Sequence, residues 1–69
     1  GPESGEIAGH TAAIGSWTYE VDKTYKQQNW IIIVKDCGYL FVFNSPLHTW
    51  DGSAGDFATI REGFKIVED

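Results

Sequence analysis

The chain lacks most of what usually staples a small fold together. Of its 69 residues one is cysteine, two are proline and none is methionine. One cysteine excludes an intrachain disulfide and a zinc cluster built on Cys ligands. Bases are scarce: five Lys and Arg stand against ten Asp and Glu, for a net charge of −5. That balance argues against a nucleic-acid binder, whose affinity comes from neutralising phosphates with cationic side chains. The modest cluster Lys23, Lys26 and Lys35, near Tyr25 and Trp30, does not reverse it. No apolar run approaches the ~18 residues that span a bilayer as a helix. What is present in quantity is ring and branched aliphatic: three Trp, three Tyr, four Phe, and 42% hydrophobic residues overall.

Size sharpens the question of where those side chains go. A domain of ~60 residues buries only ~60% of the surface its unfolded chain exposes, so its stability is marginal. Such domains lean on disulfides, metals or association. Here the core must come from aromatic and β-branched residues, or from a partner.

Gly1-Pro2 reads as a protease-cleavage scar. Residues 1–15 hold four glycines and two large apolar side chains, Ile7 and Ile14. They are expected to form a flexible arm with a short ordered stretch near Thr11–Ile14. Residues 16–69 then make one small β-rich domain. Trp17 to Asp22 alternates, with Trp17, Tyr19 and Val21 on one side and Thr18, Glu20 and Asp22 on the other, which predicts an edge strand. Lys23 to Asn29 is polar and reads as a loop or strand extension.

The strongest pattern is WIIIVKDCGYLFVF, residues 30–43. Two β-rich runs flank Lys35-Asp36-Cys37-Gly38, where a type I turn closed by a glycine bulge would give Gly38 a positive φ. Lys35 would then oppose Tyr39, putting Trp30, Ile32, Val34, Leu40 and Val42 on one face and Ile31, Ile33, Tyr39, Phe41 and Phe43 on the other. A two-residue turn would shift the pairs but leave both faces apolar. A one-sided antiparallel sheet alternates apolar and polar. This hairpin does not, so both faces ask for cover.

Asn44-Ser45-Pro46 breaks the ladder, Leu47 to Trp50 suggests a short strand, and DGSAGD (51–56) a hairpin loop. Beyond it two readings compete: a short helix near residues 56–62 capped by Asp56, or strands Phe57–Ile60 and Phe64–Val67. The wealth of Thr, Ile, Phe and Val favours the strands. The expected fold is mainly β, a strongly curved antiparallel sheet or partly open barrel of about five strands.

Catalytic and metal chemistry find little footing. Cys37 with His10 or His48 as base would be a nucleophile pair, but no signature surrounds it. His10, Cys37, His48, Asp51 and Asp56 are ligand-type residues without diagnostic spacing. DGSAGD lacks the further acids of a calcium loop and the Lys-Ser/Thr of a phosphate loop. No catalytic residue, cofactor or metal is assigned. Gly15-Ser16-Trp17 before a strand is similar to the G-x-W opening of lipocalin-like barrels, but the chain is too short for eight strands. SH3-like barrels fit the length, without their paired tryptophans and acidic early loop.

The sequence therefore predicts a non-enzymatic interaction module. It would bind a protein partner, or itself as a dimer or higher oligomer, through an apolar aromatic face or an open strand edge. The contact set expected is Trp17, Trp30, Tyr39, Phe41 and Phe43. A carbohydrate-binding module is the second reading, with Trp and Tyr rings stacking on sugars and Asn44, His48, Asp51 or Asp56 bonding hydroxyls. One cysteine and no visible signal peptide favour a cytoplasmic location.

Overall fold

The computed structural model describes residues 3–67. The fold is mainly β: a four-stranded antiparallel sheet that does not close, with one helix. The strands are β1 (Glu3–Ile7), β2 (His10–Glu20), β3 (Thr24–Val34) and β4 (Cys37–Pro46). They follow one another as a meander in spatial order β1-β2-β3-β4. A 3-10 turn (Leu47–Thr49) leads into α1 (Trp50–Gly63).

Tight turns set the register. β1 and β2 are joined by Ala8-Gly9 and β3 and β4 by Lys35-Asp36, so that Ile7 faces His10 and Val34 faces Cys37. All four turn residues have positive φ (53°, 80°, 50° and 67°). That is the two-residue type I′ geometry, whose twist matches that of the flanking strands. The three-residue turn expected after Lys35 is thus replaced by a two-residue turn after Val34, and Gly38 is an ordinary strand residue without a positive φ. Ile32 opposes Tyr39 and Trp30 opposes Phe41. Trp30, Ile32, Val34, Tyr39, Phe41 and Phe43 share one face; Ile31, Ile33, Leu40 and Val42 share the other.

The first of these faces is the covered one. Ile7, Ala12, Ile32 and Val34 are its buried centre, with Trp30, Tyr39, Phe41, Phe64 and Ile66 packed around them. The arm expected over residues 1–15 is, from Glu3 onward, part of the sheet, and Ile7 is among the most buried side chains of the fold. Glycine plays a packing role there: a Cβ on Gly5 would stand 2.5 Å from the Trp30 ring, so only a bare backbone lets the indole lie down. Gly1 and Pro2 fall outside the described residues.

The C-terminal third departs most from expectation. Leu47 to Trp50 is a 3-10 turn running into the helix, not a strand. DGSAGD is the first half of α1; its second half takes the helical reading of residues 56–62 in place of the favoured strand at 57–60, with the helix starting a turn and a half earlier and Thr49, not Asp56, at its N-cap. Trp50, Ser53, Phe57, Ala58 and Arg61 recur at helical spacing and are the half-buried stripe of α1. Phe57 meets Phe43 at 4.9 Å and Trp50 at 5.3 Å between ring centroids. Phe64, just past the helix, packs edge-on against Phe41 at 4.8 Å and Tyr39 at 5.8 Å. Ring burial on the sheet outweighs the weak helix propensity of Gly52, Gly55 and Thr59. Pro46 ends β4 at its last ladder position, opposite Tyr25, where an edge strand tolerates proline.

Candidate functional site

Both flanks of the central hairpin are apolar, but α1 and its tail cover one flank only. On the other, Ile33 is 72% exposed, Leu40 59%, Val42 51% and Ile31 45%. Register places them side by side: Ala13, Ile31 and Leu40 form one cross-strand row, and Thr11, Ala13 and Gly38 border the patch. With ordinary side-chain areas the four aliphatic groups expose on the order of 400 Å², within the range of the largest patch on a typical monomer.

The open face is also nearly free of formal charge. Alternation along the four strands assigns it Glu6 as its one carboxylate and no Lys or Arg. Glu6 lies on the outer strand β1, away from Leu40 and Val42. Exposed sheet faces of acidic proteins ordinarily carry their charge there, because solvation of ions costs nothing at the surface.

Toward the β2–β3 turn the same face changes character. Tyr19 and Tyr25 stack across the strands, with ring centroids 5.5 Å apart and planes 15° apart. Asn44 Nδ2 donates to the Tyr19 hydroxyl at 2.7 Å and to Gln27 Oε1 at 3.1 Å. Gln27 Nε2 donates to Asn29 Oδ1 at 3.2 Å. Trp17, 45% exposed, lies over Gly15, where an added Cβ would meet its Cζ3 at 3.8 Å. The Tyr25 hydroxyl donates to Asp22 Oδ1 at 3.1 Å. Asp22 is held below the usual carboxylate range, first by a hydrogen bond from its own backbone and then by Tyr25. The same bond raises the Tyr25 phenol above its ordinary value.

Of the five side chains the sequence singles out, Trp17 stands on this open face. Trp30, Tyr39, Phe41 and Phe43 stand on the other and pack beneath α1 and its tail. Trp30 is pinned there: its Nε1–H donates to Gln28 Oε1 at 2.6 Å, and the Arg61 guanidinium sits 4.2 Å from its ring centroid. The two-residue turn decides this division, because it pairs Ile32 with Tyr39 rather than with Val42. The aliphatic side chains Ile31, Ile33, Leu40 and Val42, which the sequence-based set omits, become the exposed group.

A groove of about 350 Å³ opens beside Arg61, lined by Glu6, Ala8, Trp30, Ala58, Arg61 and Glu62. No thiol, imidazole or hydroxyl enters it. Cys37 is exposed at the start of β4. Among the described residues no three His, Cys, Asp or Glu side chains converge as metal ligands, and no helix is long and apolar enough to cross a membrane. His48, Asp51 and Asp56 lie on the 3-10 turn and α1, so of the hydroxyl-bonding candidates only Asn44 belongs to the open face. No family model, curated protein or solved structure matches this chain.

Proposed function

We propose that this protein is a non-enzymatic interaction module whose uncovered sheet face docks a second copy of itself. The observation that carries the reading is the exposed aliphatic patch Ile31, Ile33, Leu40 and Val42 on a face with one carboxylate. Two such patches laid together remove roughly 800 Å² of aliphatic surface. With the bordering Thr11, Ala13 and Gly38 the total reaches the ~1,000 Å² of a specific interface. The charge distribution favours a copy over a basic partner. Two chains of net charge −5 repel unless their acids stay out of the contact, and this face keeps them out; a basic partner would find no carboxylates there to meet. The product is a two-sheet sandwich with sheets ~10 Å apart and helices outside.

Sedimentation equilibrium tests this. The wild-type chain is expected to run near twice its 7.7 kDa mass at tens of micromolar, and Ile33→Asp at the monomer mass with its β-sheet circular dichroism retained. A wild-type monomer at about 100 µM, a concentration any functional dimer of micromolar affinity would saturate, overturns the reading.

A further inference from the structure

The aliphatic patch leaves the other end of the open face unexplained. Ile33 and Gln27 are six residues apart on β3, or ~20 Å along the strand, so the two ends are separate surfaces. The second end combines an exposed indole, a tyrosine on the same face, and amides tied into one network. We propose that Trp17, Tyr19, Gln27 and Asn44 form a binding site for a neutral glycan, with one pyranose ring seated on the outer face of Trp17.

Three features of the site point to that ligand class. The Trp17 ring is 45% exposed and comes near the bare backbone of Gly15, where an added Cβ would stand 3.8 Å from its Cζ3. An exposed indole suits the C–H face of a pyranose, since Trp offers large contact area at low entropy cost. The polar groups around it are amides and a phenol, which both donate and accept. That matches hydroxyl groups, which do the same. Their mutual bonds, from Asn44 to Tyr19 at 2.7 Å and to Gln27 at 3.1 Å, hold them in place before a ligand arrives. On this end of the open face the strands present no cation. Lys23 of the β2–β3 turn, 5.9 Å from the Tyr25 ring centroid, borders it with Asp22 beside it, so a sulfated or uronate glycan would meet one cation already neighboured by a carboxylate. The site uses the chain's exposed rings in a way the dimer does not, and it does not rest on the dimer.

The test is a titration of the ¹⁵N-labelled chain with cellohexaose, mannohexaose and, as the charged control, a heparin-derived hexasaccharide. Expected are saturable shifts in residues 15–19 and 27–29 and in the Asn44 side-chain amide with a neutral hexasaccharide. Trp17→Ala should weaken binding about tenfold or more while leaving the rest of the spectrum in place. Asn44→Ala, which removes one surface amide, carries the same test should the tryptophan variant unfold. No shift with either neutral sugar at about 10 mM, shifts unchanged in both variants, or binding of the charged sugar alone each overturn the proposal. Ile33→Asp is expected to bind the neutral sugar as the wild type does. Failure of the dimer therefore leaves this site standing, and failure of glycan binding leaves the dimer standing.

Discussion

Ala8 has a φ of 53°, in the left-handed region where a Cβ crowds the following carbonyl. The turn it begins prefers Asn at this place and Gly at the next, and Gly9 already supplies the second. Ala8→Asn is expected to stabilise the fold by roughly 0.5–1 kcal/mol, read as a higher urea midpoint at unchanged slope. Gly5 is the opposite case. Its missing Cβ is the space the Trp30 ring occupies, and that ring is held by Gln28 and Arg61. Gly5→Ala should cost about 1–3 kcal/mol as overpacking, with a shift in tryptophan emission as the indole is displaced. The Asp22–Tyr25 pair titrates at two ends of the pH scale. Asp22 is depressed, so its small contribution holds above the ordinary carboxylate value of about 3.9 and is lost as pH falls through its folded value. Tyr25 is raised, so its contribution holds below about 10 and is lost as pH rises through its folded value. Tyr25→Phe should move the Asp22 carboxyl upward in an NMR titration, but not to its ordinary value, because the larger cause is the backbone bond that remains.

At the level of elements, α1 is a helix made by its surroundings. Gly52 and Gly55 weaken its first half, and nothing lies within 4 Å of where a Cβ would stand at either. Gly52→Ala and Gly55→Ala should therefore each add up to about 1 kcal/mol, nearly additively, in thermal or urea unfolding. A loss instead would mean that the backbone at these positions is not helical. The strands expected at 57–60 and 64–67 were legible only as β-prone composition. Phe57 and Phe64 are seven residues apart, a helical interval, and what fixes them is Phe43, Phe41 and Tyr39 on a distant strand. Such partners are invisible to local pattern. β3 and β4 were legible because β-branched and aromatic residues fill them on both faces. The length of β1 and β2 was not, because glycines in the first fifteen residues look like breakers until Trp30 and Trp17 are seen lying over Gly5 and Gly15.

For the molecule as a whole, the decisive quantity is cover. One helix of 14 residues and a short tail can roof one side of a four-stranded sheet. The chain, with Cα extents of 45 × 24 × 19 Å, has no further element among the described residues for the other side. If a second copy supplies it, folding and association are linked, and the melting temperature should rise with protein concentration. Calorimetry over a tenfold or wider concentration range would show this. Ile33→Asp should abolish the dependence, and a concentration-independent wild-type melt would break the link.

Composition and alternation alone were enough to specify a small antiparallel sheet with a greasy central ribbon, since side-chain period and branching act on each residue's immediate neighbours. They also showed that so few residues would be short of cover, which is a matter of surface against volume. Which flank lies beneath the helix, and that a helix over 50–63 wins over the strands, depended on contacts between residues far apart in the chain. Two left-handed turn residues, Lys35 and Asp36, set the hairpin register, and a shift of one position there moves every ring of β4 to the other side of the sheet.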